Sequence, residues 1–194
     1  MKTLKITSKD VKDTNYYWKE YIGKTDVSDY DGNIEIEENL GYVRFSGNVK
    51  AKGYILAKAG SGIKAGWGIE AGSGIEAGSG IKAGDGIEAG SGIKAGDGIK
   101  AGWGIEAGWG IEAGWFVKCK LKLNIGLRIF AGLCLWREPT EDEMKIECGK
   151  LVKGKVCYGN LIETGLPKKK SKPKEIVKEI IIDGVTFVPK VKNL

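Results

Sequence analysis

The side chains best suited to catalysis are scarce in this chain. Histidine is absent from all 194 residues, which removes Ser-His-Asp and Cys-His catalysis, histidine-ligated metals and the usual general base near neutral pH. The cysteines lack the Cys-x-x-Cys spacing, so we expect free thiols. They are Cys119, Cys134, Cys148 and Cys157. The carboxylates of Glu141, Asp142 and Glu143 fall in a charged segment typical of a solvated turn. We therefore predict a protein that is not an enzyme and uses no metal or cofactor.

Nine consecutive hexapeptides of the form Ile-x-Ala-Gly-x-Gly occupy the middle of the chain, and the last of them has Phe116 in place of its second glycine. They begin at Ile63, Ile69, Ile75, Ile81, Ile87, Ile93, Ile99, Ile105 and Ile111. Each unit offers one large and one small apolar residue, too little to bury alone, so the units must stack on one another. Ile and Ala are two residues apart and face inward, whereas the Lys or Glu between them faces solvent. The repeat thus predicts an all-β fold, a parallel β-solenoid, with glycines at positive φ in its corners.

The repeat leaves the number of hexads in one coil open. Precedent among hexapeptide-repeat proteins favours 18 residues, a coil that places Lys64, Lys82, Lys100 and Lys118 in one column. The charges between Ile and Ala favour 12 residues, because like charges on adjacent strands repel. A 12-residue coil gives six opposite-charge neighbours among eight pairs, against two among seven for the longer coil. Exposed pairs contribute only a few tenths of a kcal/mol, so the coil size stays undetermined. Handedness stays undetermined as well, because the left-handed hexapeptide signature places its small residue two before the aliphatic one, whereas here alanine comes two after.

The fifth residue of the hexad is Ser or Asp in most units and tryptophan in four. These four are Trp67, Trp103, Trp109 and Trp115, and the same register continues with Leu121, Leu127 and Leu133. A position that accepts Ser and Asp faces water, so this apolar stripe must be covered by residues 146–194, by a second copy or by a partner. Tryptophan is enriched in binding hot spots, which makes the four tryptophans candidate partner-binding residues. From 117 to 135 every odd residue is apolar, which predicts longer flat strands.

The segments around the repeat suggest four regions. We expect an N-terminal cap in residues 1–33, the solenoid in 34–136, a loop with short capping strands in 137–166, and a basic linker with a C-terminal β-hairpin in 167–194. The net charge of +6 lies mainly in the tail, since residues 166–194 hold eight lysines and three acidic residues. Lys168, Lys169 and Lys170 are therefore candidates to contact an acidic protein surface or a nucleic acid. With neither a signal peptide nor a membrane helix in the sequence, we expect a cytoplasmic protein without a membrane partner.

Residues 63–90 (IKAGWGIEAGSGIEAGSGIKAGDGIEAG) and 127–136 (LRIFAGLCLW) resemble uncharacterised glycine-rich repeat proteins encoded by phages and prophages of gut bacteria. The chain is also similar, more loosely, to bactofilins, whose hexad-like β-helices polymerise into filaments. The phage resemblance implies an accessory role, and small phage accessory proteins often block host defence, for instance as anti-CRISPRs. It implies a non-catalytic protein that binds a host protein, such as a nuclease effector with its nucleic acid. The alternative is a self-assembling scaffold.

Overall fold

The computed structural model describes residues 1–15, 17–134, 137–167, 180–182 and 185–187. These residues form an all-β, parallel β-solenoid of about seven turns, which confirms the fold that the hexads predict. Two short 3-10 helices, Ser8–Asp10 and Glu141–Met144, accompany the strands. The strands are β1 (Lys2–Ile6), β2 (Val11–Asn15), β3 (Trp18–Tyr21), β4 (Gly32–Ile36), β5 (Gly41–Phe45), β6 (Val49–Ala51), β7 (Ile55–Ala57), β8 (Ser61–Ala65), β9 (Ile69–Ala71), β10 (Ile75–Ala77), β11 (Ile81–Ala83), β12 (Ile87–Ala89), β13 (Ile93–Ala95), β14 (Ile99–Ala101), β15 (Ile105–Ala107), β16 (Ile111–Ala113), β17 (Val117–Cys119), β18 (Lys122–Ala131), β19 (Lys145–Cys148), β20 (Lys150–Tyr158), β21 (Asn160–Glu163), β22 (Ile180–Ile182) and β23 (Val185–Phe187). In this part of the chain no helix is long and apolar enough to cross a membrane.

Each coil of the repeat contains three strands and 18 residues. Ile75 pairs with Ile93, and Ile93 pairs with Ile111, so the chain returns to the same side after three hexads. The solenoid is therefore three-sided. Face 1 consists of β4, β7, β10, β13, β16 and the second half of β18, and face 2 of β5, β8, β11, β14, β17 and β19. Face 3 consists of β6, β9, β12, β15 and the first half of β18.

The 18-residue coil contradicts the preference of the exposed charges for 12 residues. Lys82 pairs with both Lys64 and Lys100, which puts like charges on neighbouring strands. At a strand spacing of about 4.8 Å, two such charges repel by about 0.9 kcal/mol in water, and salt weakens this further. Burial of one isoleucine contributes about 1.5–3 kcal/mol. The repulsion between like charges is therefore small beside the burial of the core, and it does not prevent the 18-residue coil.

The core is a stack of isoleucine and alanine side chains. Every hexad isoleucine from Ile63 to Ile111 is at most 1 % exposed, and the alanine two residues later is also buried. The residue between them points outward, as the alternation predicts. Because the core contains one Ile and one Ala per face, its stability depends on the sum over many stacked coils.

The repeat glycines do not adopt the positive φ that was expected of them. Among the described residues, positive φ occurs at glycines outside the hexads, such as Gly60 and Gly132. The first glycine of each hexad is instead required because the preceding coil lies against it. An alanine Cβ at Gly84 would lie 1.9 Å from the carbonyl oxygen of Gly66, one coil earlier. Close backbone approach, rather than left-handed backbone, explains this glycine.

Parallel stacking extends beyond residues 34–136 in both directions. Within residues 1–33, β1 pairs in parallel with β4 and β3 pairs in parallel with β5, while β2 adds an antiparallel strand at the edge. Within 137–166, β19 pairs with β17, β20 with β18, and β21 with β19. Further along, β22 and β23 pair antiparallel with Ile182 opposite Val185, as the expected hairpin requires. Asp183 and Gly184 lie outside the described residues.

The alternation between 117 and 135 gives one long strand rather than a flat sheet. The ten-residue β18 spans two faces, because Leu123 pairs with Ile105 on face 3 and Ile129 pairs with Ile111 on face 1. Leu127 lies between these two halves, at the corner, and is 62 % exposed. Period-2 alternation could not distinguish inward positions from corners, because both fall on odd residues here.

Candidate binding surfaces

The tryptophans lie on three different edges of the solenoid and do not form one stripe. Trp67 and Trp103 occupy the edge between faces 2 and 3, with Asp85 stacked between them. Trp109 stands at the edge between faces 3 and 1, and Trp115 at the edge between faces 1 and 2. The expectation of a continuous apolar stripe is wrong, because an 18-residue coil sends every third corner to the same edge.

Most of these corner side chains face solvent in the part of the chain that the structure describes. Trp67 and Trp103 are each 60 % exposed, and Trp109 is 66 % exposed. Strands β19–β21 continue the stack instead of folding back over the corners. Trp115 differs from the others, because it is half-buried and its indole N–H has no acceptor among the described residues. Lys168, Lys169 and Lys170, the other candidate contacts, lie outside the described residues.

A groove floored by the second glycine of successive hexads runs along each face, and on face 2 the chain fills it with its own aromatic rings. A Cβ at Gly80 would lie 2.4 Å from the hydroxyl oxygen of Tyr42, and one at Gly98 would lie 2.7 Å from the Phe116 ring. Both rings therefore lie directly against glycine. The spacing of the repeat thus creates a shelf of the right depth for an aromatic side chain.

On face 1 the corresponding groove is open. It has a volume of about 720 Å³ and its floor includes Gly74, Gly92 and Gly110. Its apolar walls and one cationic end are formed by Tyr54, Leu56, Trp109, Leu127, Arg128 and Phe130. The side chains that point outward between the walls alternate in charge, since Lys94 lies one coil above Glu76 and one below Glu112. We call this feature the face-1 groove.

The exposed charges of the repeat are sorted by face. The ten positions between Ile and Ala from 64 to 118 hold five lysines and five glutamates, so an even mixture on every face was available. Face 2 instead carries only cations over five coils, a set that we call the basic ladder: Arg44, Lys64, Lys82, Lys100 and Lys118. Face 3 carries the acidic ladder over three coils: Glu70, Glu88 and Glu106.

Three members of the basic ladder lie over aromatic rings. The guanidinium carbon of Arg44 lies 5.9 Å from the centroid of the Trp18 ring. The Lys64 Nζ lies 3.7 Å from the centroid of the Trp18 ring, and the Lys82 Nζ lies 4.5 Å from that of Tyr42. Partial burial, with Arg44 and Lys82 nearby, lowers the pKa of the Lys64 ammonium from its usual value. A ring attracts a cation without neutralising it, so the charges remain while their positions are restricted. The repeat therefore has a near-neutral net charge and yet carries a cationic face. The sequence alone indicated an excess of positive charge only in the C-terminal tail.

The four cysteines and the acidic segment 141–143 lie among the described residues. No group of three or more histidine, cysteine or acidic side chains in these ranges is arranged to hold a metal. Burial raises the pKa of the Cys119 thiol to about 12 and that of Cys148 to about 11, so both stay protonated near neutrality. In the acidic segment, the Arg137 guanidinium hydrogen-bonds Glu143 and lowers the pKa of that carboxyl to about 2. The Glu143 carboxylate therefore stays ionised near neutral pH.

Comparisons of the chain with family models, with curated proteins and with solved structures gave no match. We therefore infer function from the surfaces themselves. Two kinds of surface stand out on the described residues: the apolar face-1 groove, and the two ladders of opposite charge on faces 2 and 3.

Proposed function

We propose that this protein is a non-catalytic binding protein that holds a partner protein in the face-1 groove. The observation that carries the proposal is the contrast among the three grooves. The groove on face 3 is also open, with a volume of about 570 Å³, but the charged side chains of Glu70, Glu88 and Glu106 line it. On face 2 the groove is filled by Tyr42 and Phe116, whereas on face 1 it is open beside the exposed Trp109. An aromatic or aliphatic side chain on an extended segment of the partner would occupy it as Phe116 occupies face 2. The Glu76–Lys94–Glu112 series would then orient that segment.

Filling the groove from within tests this proposal. Gly92 occupies on face 1 the position that Phe116 occupies on face 2, and a Cβ there would lie 3.4 Å from the carbonyl oxygen of Gly110, an ordinary contact. Gly92→Phe should therefore place a ring in the groove without opening the coil. Gly86→Phe is the matched control on face 3, where a Cβ would lie 3.6 Å from the Gly104 oxygen.

The assay is affinity capture from a defence-competent bacterial host, followed by calorimetry with the captured protein once it is identified. We expect Gly92→Phe and Trp109→Ala to weaken binding at least ten-fold. Gly86→Phe and Trp103→Ala should leave binding within about two-fold, because they change equally exposed positions beside another face. Equal binding by all four variants would refute the groove as the site.

The identity of the partner is supported by the sequence resemblance alone. We propose that it is a host defence protein, and most concretely a CRISPR nuclease effector, which the protein inhibits by contact. The direct test is plaque formation by a CRISPR-targeted phage in cells that express the protein. Restored plaquing that Gly92→Phe abolishes would support inhibition. Captured binding without any restored plaquing would leave a binding protein with another role.

A second candidate function is a self-assembling scaffold. The specific observation in its favour is the separation of the basic and acidic ladders onto two faces of one rod. Each copy then carries both halves of a complementary contact, and such a contact can repeat from copy to copy. A protein that remains monomeric at every concentration tested would exclude this candidate without affecting the groove.

A further inference from the structure

We propose that a second copy of this chain docks side by side with the first, the basic ladder of one copy lying against the acidic ladder of the next. This inference deepens the scaffold candidate and is independent of the face-1 groove. Charge complementarity identifies a second copy as the partner, because the basic and the acidic surface are both present on every copy. Faces 2 and 3 point in different directions, so a copy that has donated its basic face still offers its acidic face.

The two ladders match in spacing because they belong to the same solenoid. Each advances by one side chain per coil, about 4.8 Å, so pairing one lysine with one glutamate aligns the neighbouring pairs as well. The basic ladder covers five coils and the acidic ladder three. Three glutamates therefore find three cations in each of three registers. The three equivalent registers favour association, although they do not select one axial offset between the two copies.

The charges needed for this contact are largely unused within one molecule. Among the described residues, Lys64, Lys82 and Lys100 have no carboxylate within 4.0 Å, and neither Glu88 nor Glu106 has a cation within that distance. The ladders take part in two internal ion pairs, both at their ends: Lys118 with Glu147 at 2.7 Å, and Lys50 with Glu70 at 3.0 Å. The rings over Lys64 and Lys82 restrict those cations in advance, which reduces the entropy lost on docking.

The size of the faces indicates a weak and reversible contact. Face 3, the shorter of the two, has five strands, which at about 4.8 Å each give a length of roughly 24 Å. One hexad spans at most about 20 Å, so the area of this face is below about 480 Å². Stable dimers bury about 800 Å² per partner. We therefore expect association in the micromolar range, strongest at low salt because exposed charges are screened within about 10 Å at 0.1 M.

Reversing the charge of each face in turn tests the proposal. One variant carries Lys64→Glu, Lys82→Glu and Lys100→Glu, and the other carries Glu70→Lys, Glu88→Lys and Glu106→Lys. The control carries Glu76→Lys and Glu112→Lys, the same chemical change on face 1. Full-length proteins are treated with nuclease, their folding is checked by circular dichroism, and association is measured by sedimentation velocity over a range of concentrations at about 50 and 500 mM salt.

We expect the wild type and the face-1 control to associate at low salt, and each ladder variant alone to associate at least ten-fold more weakly. An equimolar mixture of the two ladder variants should associate again, because one then carries two acidic faces and the other two basic faces. A mixture that stays monomeric while the wild type associates would overturn the inference and leave the scaffold candidate intact. A wild type that is monomeric throughout, or that loses its oligomers on nuclease treatment, would overturn both.

Discussion

Replacing Gly84 and Gly86 by alanine, one at a time, separates the roles of the two glycines in a single hexad. A Cβ at Gly84 would lie 1.9 Å from the carbonyl oxygen of Gly66, whereas a Cβ at Gly86 would lie 3.6 Å from that of Gly104. Neither glycine has a positive φ. The two substitutions therefore add the same methyl group to the same corner and differ only in the backbone that it meets.

The size of the destabilisation by Gly84→Ala follows from the displacement of the two coils that meet at this glycine. Carbon and carbonyl oxygen come no closer than about 3.3 Å in ordinary weak contacts, so Gly84→Ala must separate two coils at this corner. Separation stretches the hydrogen bonds from Gly84 N–H to Ala65 O, at 3.2 Å, and from Asp85 N–H to Trp67 O, at 3.1 Å. At about 1 kcal/mol for each bond and about 1–3 kcal/mol of overpacking, the expected loss is about 3–5 kcal/mol. Gly86→Ala should instead stabilise by about 0.4–1 kcal/mol, because it restricts the unfolded chain.

Urea unfolding followed by far-ultraviolet circular dichroism measures both variants. The unfolding midpoint of Gly84→Ala should fall well below that of the wild type, and that of Gly86→Ala should equal or exceed it. Equal destabilisation by both substitutions would refute the close-approach explanation and return the glycines to a role in bending the chain. A fully stable Gly84→Ala variant would refute the stacking distance itself.

Three further predictions concern the core and its thiols. Ile93→Asp should cost roughly 4 kcal/mol or more in the same urea assay because it buries an unpaired charge, and a fully folded variant with an unchanged midpoint would contradict the solenoid core. Ser61→Ala should lower the free energy of unfolding by about 1–3 kcal/mol. The buried Ser61 hydroxyl donates to Glu37 O at 2.5 Å and accepts from Leu40 N–H at 3.0 Å. Ser79→Ala, one coil later, is the control and should change the free energy of unfolding little. Stability should decline as the pH rises above about 8.5, where unfolded thiols ionise while the raised pKa of Cys119, about 12, keeps the folded thiol neutral. A Cys119→Ala variant should lose less stability between pH 8.5 and 11, and an identical pH profile would contradict the burial of that thiol.

The hexad pattern predicted the solenoid and its inward positions because Ile and Ala recur with a strict six-residue period. It could not determine the coil size. The repulsion between like charges on one face is smaller than the free energy that burial of the core residues contributes, so the charges alone favoured the wrong period. Once the coil is known, the same residues separate into a basic face and an acidic face. The column of Lys64, Lys82, Lys100 and Lys118 was therefore the sequence signal for the ladder.

The face-1 groove was harder to predict, because it depends on contacts between distant coils. Phe116 and Tyr42 fill face 2 by lying on glycines of adjacent coils, and nothing in a single hexad indicates which face remains open. The corner tryptophans were recognised as candidate contacts, yet their distribution over three edges follows only from the 18-residue coil. Of the four, Trp109 lines the face-1 groove.

Cross-linking between isotope-mixed copies tests the paired faces most directly. Equal amounts of unlabelled and ¹⁵N-labelled protein are mixed at low salt and treated with a carbodiimide, which joins lysine to a carboxylate in contact, and the linked peptides are identified by mass spectrometry. We predict mixed-isotope links between Lys64, Lys82 or Lys100 and Glu70, Glu88 or Glu106. Mixed links that involve mainly Glu76 and Glu112 of face 1, or links found only within one copy, would contradict the pairing of the basic and acidic ladders.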